Sequence, residues 1–374
     1  MHTTRRDALI LGAAMAAPVA SHASDWHALS GKRLNKIAYG SCAHQDKDQP
    51  IWDAIVAEKP DLFLFLGDNV YLDTRDVSEM KAKYAKLAAK PGFQKLRETT
   101  PIIAMWDDHD FGENDAGVEY PKKNEARQLF CDFWGEAATS PRRTREGIYT
   151  SFVFGPAGQR VQIILPDLRF NRSEIIKLDL GGKPYDVWAK ELEKAGQMVP
   201  GPYARNPDLK ASMLGEAQWQ WLEAQLREPA DVRIFASSLQ VLADFAGWEG
   251  WINYAQDHQR LISTIRKTKA NGLICLSGDT HYAEVSRLDT NVPYPIWDFT
   301  SSGLTEVWPV LPPNALRVGD VYRARNFGLI TFDWAKRPKP SLTVEIRGEQ
   351  GQVAISQIVS VADLQVNNSS SPHG

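Results

Sequence analysis

Four apolar runs of this chain each stop at a cluster of potential metal ligands, and that coincidence restricts the fold more than any other feature. The clusters are Ser41-Cys42-Ala43-His44, Gly67-Asp68-Asn69-Val70-Tyr71, Trp106-Asp107-Asp108-His109-Asp110 and Gly278-Asp279-Thr280-His281. The runs ahead of them, near 36–40, 62–66, 101–105 and 272–277, are short and apolar, the pattern of buried strands. Segments of helical spacing alternate with them: 51–57, 77–90 and 258–267, with 218–226 before a further strand at 232–236. Repeated strand and helix units imply a sheet buried by helices, and in such sheets the loops at the C-terminal strand ends open onto one crevice. Four ligand clusters in phase with four strand ends are therefore expected to meet in space. A hairpin is expected across Pro156-Ala157-Gly158, and strands alone after residue 295. The expected fold class is α/β, a sandwich with two mixed sheets.

Charge narrows the partners. The 374 residues carry 43 Lys+Arg against 46 Asp+Glu, a formal charge of −3. With no basic excess to neutralise a phosphate backbone, nucleic-acid binding is not expected beyond cleavage of a diester. An anionic small substrate then needs a local positive site, such as a metal. Cys42, Cys131 and Cys275 are too few for a disulfide framework. Cys131 and Cys275 fall within apolar segments and read as buried core, whereas Cys42 lies just past its strand beside Ser41 and His44.

Residues 1–23 hold Arg5-Arg6, an apolar stretch from Ala8 to Val19 and a small-residue end at Ala23, the form of a twin-arginine secretory signal. The mature chain is expected to be periplasmic or secreted, to have used the twin-arginine export machinery, and to hold no integral membrane segment. Residues 24–34 read as a linker, 35–364 as one catalytic domain and 365–374 as a disordered tail. Within the domain, the Pro/Gly-rich excursion at 174–213 is expected to flank or cap the site.

Asp107, Asp108 and Asp110 put three carboxylates within four residues, which repel one another unless cations or hydrogen bonds offset them. Asp, His, Tyr and Cys donors around one point suit a pair of hard or borderline cations: carboxylates bridge, and a thiolate or phenolate favours iron or zinc. Two bridged metals are the usual arrangement for phosphoester cleavage, because they activate a hydroxide and stabilise the transition-state oxygens. Arg169, just after the strand near 161–165, has a fork suited to a phosphate oxygen, with a salt bridge to Asp167 as its structural alternative.

Taken in order, SCAH, LGDNVY, WDDHDFGEN, LPDLRFNR, MLGEAQWQWL, GWEGW and GDTHY resemble the alkaline phosphatase D (PhoD-like) family of calcineurin-like metallophosphoesterases, from about residue 35 to 305. The resemblance implies a four-layer αββα sandwich. It implies iron held by Cys42 and Tyr71, a bridging Asp68, calcium, and shells completed by Asp107, Asp108, Asp279 and His281, with zinc or manganese as substitutes. It also implies that His109 is a general acid or transition-state contact and that Arg169 and Asn114 touch phosphate. His44 is open between metal ligand, substrate contact and neither, as is the choice of Asp107 or Asp108. The generic histidine in the middle of the superfamily's chain is replaced here by Ser237-Ser238-Leu239-Gln240, and His258 reads as structural.

The function expected is an exported phosphoesterase acting on phosphomonoesters or phosphodiesters through a metal-bound hydroxide. Two rivals are a phospholipase D-like hydrolase of lipid or cell-wall phosphodiesters, with Trp248, Trp251 and Trp308 as candidate pocket walls, and a non-catalytic exported metal- or phosphate-binding protein.

Overall fold

Strand alternation explains how this chain stacks its layers. A computed structural model describes residues 26–366 except Met198 and Pro309, with His27 and Asp186 as backbone alone. The expected leader at 1–23 and the tail from 367 onward lie outside the described residues.

The chain begins with β1 (Lys36–Gly40), α1 (Ile51–Ala57) and β2 (Leu62–Leu66), followed by α2 (Val77–Ala88), α3 (Pro91–Thr99) and β3 (Ile102–Met105). Asp76 caps α2 by accepting the N–H groups of Ser78 and Glu79. The sequence reading has a single helix over 77–90. Lys90 instead turns extended, because the ring of Pro91 disfavours a helical residue ahead of it, and Pro91 opens α3 at a position where its missing N–H costs nothing.

Next come α4 (Asp108–Phe111), α5 (Lys123–Phe133), β4 (Thr150–Phe154) and β5 (Val161–Leu165), the last two forming the expected hairpin. The excursion contains β6 (Ile176–Lys177), α6 (Tyr185–Lys194) and β7 (Tyr203–Ala204). After it follow α7 (Glu216–Leu226), β8 (Val232–Ala236), α8 (Ala255–Thr268), β9 (Leu273–Ser277), β10 (Ala283–Leu288), β11 (Ile296–Ser301), β12 (Asn326–Asp333), β13 (Ser341–Gly348) and β14 (Val353–Ser360).

One sheet runs β14-β13-β12-β1-β2-β3, the other β10-β11-β9-β8-β5-β4. Both are mixed: β1, β2 and β3 are parallel while β12 is antiparallel to β1, and β11, β9, β8 and β5 are parallel between two antiparallel edges. Leu62, Leu64 and Leu66 of β2 point into the core shared with Ile163, Ile234 and Ile274 of the other sheet. Phe63 and Phe65 point the opposite way, onto Trp52 of α1 and Phe93 of α3. Trp219 of α7 and Leu261 and Ile265 of α8 belong to the other sheet's side of the core. The period of two thus sends each strand's side chains into two apolar layers, giving helices, sheet, sheet, helices. Among the described residues no helix is long and apolar enough to cross a membrane.

Candidate metal centre

The loops meet because two glycines let backbone approach backbone. At Gly67 (φ 99°) an added Cβ would lie 2.5 Å from Cβ of Asp107, so only glycine brings Asp68 and Asp107 together. A Cβ on Gly278 would meet Ser41 Oγ at 2.6 Å and the carbonyls of Leu66 and Ser238 at 3.0 Å, which places the ends of β1, β2, β8 and β9 around one point. Nine described non-glycine residues have positive φ, and Cys42, Asp68, Asp73, Asp115, Asp279 and His281 are six of them. Left-handed backbone at such residues is costly and gathers where a site needs it.

Four sets of donor atoms, each set within 4.8 Å, converge there: Cys42, Asp68 and His281; Asp68, Asp108 and His109; Asp68, Asp107, Asp108 and Asp279; and Asp108, Asp115 and Glu249. Asp68 and Asp108 are each common to three, and only Asp68 also belongs to the set with Cys42 and His281. Cys42 Sγ lies 3.4 Å from Asp68 Oδ2 and 3.2 Å from Ser302 Oγ, and Tyr71 Oη lies 3.2 Å from His281 Nε2. The structure therefore brings together Cys42, Asp68, Tyr71, Asp107, Asp108, His109, Asp279 and His281. Asp110 turns away: its carboxylate accepts the N–H groups of Asp68, Asn69 and Asp107 and fixes the loops.

The electrostatics fit a cation. Asp107 Oδ2 and Asp108 Oδ1 are buried without a hydrogen-bond partner, a costly condition for carboxylates. Burial raises Asp68 and Asp279 well above the usual carboxylate range, with Asp108 and Asp107 respectively adding to it. Asp107 is pushed up by burial to about 6 against the pull of Arg169. For Asp108, burial is outweighed by His109 and Arg169, and its carboxyl stays below the ordinary range. Burial, then Asp68, raises the Cys42 thiol; burial, then Cys42, raises the Tyr71 phenol. Burial lowers His281 to about 4, leaving a neutral imidazole able to coordinate. Burial opposes charge on His109, yet Asp108, Asp68 and Asp73 carry it up to about 11. Carboxylates this crowded bind protons unless metal ions offset them, and metal ions reverse those shifts.

A cavity of about 180 Å³ opens beside the cluster, lined by Asp108, His109, Asn114, Asp279 and His281 among others. Its described lining includes no Lys or Arg. Arg169, expected at a phosphate, is fully buried: Nε donates to Asp107 Oδ1 at 2.6 Å, and Nη1 and Nη2 donate to Glu249 at 3.1 and 2.8 Å. In this arrangement its donors serve carboxylates, not the cavity, and Asp167 accepts the backbone N–H of Arg169, with those of Ile148 and Phe170, rather than the guanidinium. His44 stacks on Tyr71 at 4.7 Å, outside the four donor sets. Asn114 donates to Asp115 Oδ2 at 2.6 Å. Trp248 and Trp308 line the cavity, but Trp251 does not: it is buried and its indole donates to Ser237 Oγ. His258 sits in α8 as expected.

Sequence reasoning missed Asp73, Asp115, Tyr203 and Glu249. Asp115 sits one residue past Asn114 in the loop after α4, and Tyr203 brings the excursion to the site by donating its hydroxyl to Asp115. Only Glu249, inside the quoted GWEGW segment, carried a signal, as an acid amid tryptophans.

Two mixed sheets with ligand-bearing loops gathered at one set of strand ends define the class, an α/β sandwich with a candidate metal centre. The chain belongs to the PhoD-like phosphatase family, whose profile matches residues 37–310. Alkaline phosphatase D of Bacillus subtilis (strain 168) is 22% identical over 285 residues, 67% of this chain and 46% of that protein. The chain thus spans about half the length of that curated relative. The solved structure of PhoD is similar with a TM-score of 0.68 and 16% identity, covering 92% of this chain and 74% of that one. GAP50, the anchor in the inner membrane complex of Plasmodium, is similar with a TM-score of 0.53 and 13% identity over 90% of each chain. At these identities the two structures speak for the fold alone.

Proposed function

We propose that this chain is an exported, metal-dependent phosphoesterase acting on phosphomonoesters or phosphodiesters. The observation that carries the reading is that Asp68 alone joins the donor set of Cys42 and His281 to that of Asp107, Asp108 and Asp279, the position a carboxylate shared by two ions would take. Cys42, Asp68, Tyr71 and His281 would hold iron, since thiolate, phenolate and imidazole suit a Lewis-acidic metal. Asp68, Asp107, Asp108 and Asp279 would hold calcium, which prefers carboxylate oxygens. Zinc or manganese are the substitutes. When bound, the ions supply an activated water and positive charge beside the transferring oxygens.

The chain's own groups divide the remaining work. His109 lines the cavity, and with Nδ1 engaged by Asp73 its Nε2 is the atom that gives a proton to the leaving oxygen. Arg169 holds Asp107 in place and offsets charge, Asn114 lines the cavity where a phosphate would contact it, and His44 acts through the Tyr71 ring on which it stacks. Export rests on Arg5-Arg6 and the apolar stretch after them. Secretion by the twin-arginine route, which carries folded proteins, suits a centre assembled where thiols stay reduced.

Hydrolysis of p-nitrophenyl phosphate and bis-p-nitrophenyl phosphate by natively exported protein, before and after chelation, tests the reading. Turnover of either ester that vanishes on chelation and returns with metal supports it. Full metal loading with turnover of neither ester removes it and favours a binding protein.

A further inference from the structure

The aromatic wall of the cavity continues away from the metal-ligand groups without a break. His281 lies 6.3 Å from Trp308, Trp308 lies 5.8 Å from Trp248, Trp248 lies 5.3 Å from Tyr185 and Tyr185 lies 6.0 Å from Trp188, ring centre to ring centre. Three separate parts of the chain supply this row: the loop after β11, the loop between β8 and α8, and α6 of the excursion. Close in sequence to members of this row, Val187 (between Tyr185 and Trp188) and Val307 and Val310 (either side of Trp308) are 42%, 50% and 50% exposed, and Trp308 is 38% exposed. Exposed apolar side chains gathered at the mouth of a site mark a surface that binds something apolar.

The polar lining argues against a sugar or a base as the occupant. Gln240 Nε2 donates to Glu284 and Thr300, Asn314 Nδ2 to Glu284 and Ser286 and Asn114 Nδ2 to Asp115, so the amide donors of the described lining are committed, and away from the carboxylates Thr280 Oγ1 is the buried lining side-chain atom left without a partner. The Glu284 carboxylate also pairs with Arg317. Recognition of hydroxyls or base edges needs uncommitted, directed donors and acceptors, whereas an aliphatic chain needs only area.

We propose that the row from Trp308 to Trp188 is the subsite for an alkyl or acyl substituent of the phosphoester substrate, an inference that rests on the phosphoesterase reading above. Phosphorus is then held at the donor sets and the chain runs outward along Trp308 and Trp248 toward α6. Each buried methylene contributes roughly fourfold in affinity.

The test is calorimetric titration of the metal-loaded protein with methyl-, butyl-, octyl- and phenylphosphonate, with turnover of p-nitrophenyl phosphate and bis-p-nitrophenyl phosphate followed on the same preparation. Octylphosphonate is expected to bind at least about 100-fold more tightly than methylphosphonate. Trp308→Ala, at an exposed position, and Trp248→Ala are each expected to cut that ratio by roughly tenfold. Equal affinity across the series, no binding at all, a ratio unchanged in both variants, or phenylphosphonate binding more tightly than octylphosphonate overturns the subsite. Turnover with a flat series removes the subsite and spares the phosphoesterase reading. A steep series without turnover removes the phosphoesterase reading and keeps an alkyl subsite.

Discussion

Asp73 grips His109 with both carboxylate oxygens, which lie 2.8 and 2.9 Å from Nδ1. The ring is thereby oriented, and its charged form is stabilised by Asp108, Asp68 and Asp73 against burial.

Asp73→Asn is expected to lower kcat by roughly tenfold and His109→Ala by about 100-fold, both toward the phosphoesters above. The pH profile separates orientation from charge. Removing the Asp73 charge lowers the His109 pKa, so the proton donor is lost earlier and the alkaline limb of kcat moves to lower pH. An alkaline limb that stays in place in Asp73→Asn contradicts a proton-donating His109.

Cys42→Ser is expected to reduce bound iron and turnover together by more than about tenfold, because a hydroxyl replaces the thiolate beside Asp68. Cys131→Ser, within α5 and remote from the donor sets, is expected to retain both at about wild-type level. Elemental analysis of the two variants checks this, and full iron in Cys42→Ser would remove the thiolate from the centre.

Arg142 ties the end of β3 to the hairpin: Nη2 donates to the Ala104 carbonyl and Nε to the Ile148 carbonyl, both at 2.7 Å, while Nη1 pairs with Glu136 at 2.5 Å. Burial acts to raise Glu136, but Arg142 and Ser140 outweigh it and hold the carboxyl below its ordinary 4.5. A depressed folded value stabilises the protein above the unfolded value, and that contribution disappears as pH falls through the folded one. Glu136→Gln is therefore expected to cost roughly 1.5–3 kcal/mol at neutral pH, with the gap to wild type closing below 4.5 in urea melts.

Glu249 lies between two buried guanidinium groups, accepting from Arg169 and Arg172. Glu249→Gln leaves both charges short of a partner and is expected to cost about 3–5 kcal/mol in chemical denaturation. A loss under about 1 kcal/mol would mean that Asp107 and Asp108 alone hold Arg169.

The layered fold and the meeting of four loops were legible because strand period and ligand position coincide at Cys42, Asp68, Asp107 and Asp279. What stayed hidden depends on long-range partners. Arg169 and Glu249 are 80 residues apart, so a fork that reads as a phosphate clamp proves to be engaged by protein carboxylates. Tyr203, in the excursion expected to flank the site, reaches Asp115 from 88 residues away, and no local pattern named either partner. The sequence reading places no strand over Ala283–Leu288, where Glu284 is fully buried; Arg317, which neutralises it, lies 33 residues on. Helix α3 was hidden because Pro91 reads as a stop when in fact it is a start.

The most direct test of the account is elemental analysis of natively folded wild type beside Asp68→Asn, with bis-p-nitrophenyl phosphate turnover on both samples. A shared Asp68 predicts about two or more metal ions per wild-type chain, and in the variant a loss of more than half of that metal together with a fall in turnover of about 100-fold. Wild-type turnover without stoichiometric metal, or an Asp68→Asn variant that keeps its full complement, would contradict a bridged centre at these strand ends.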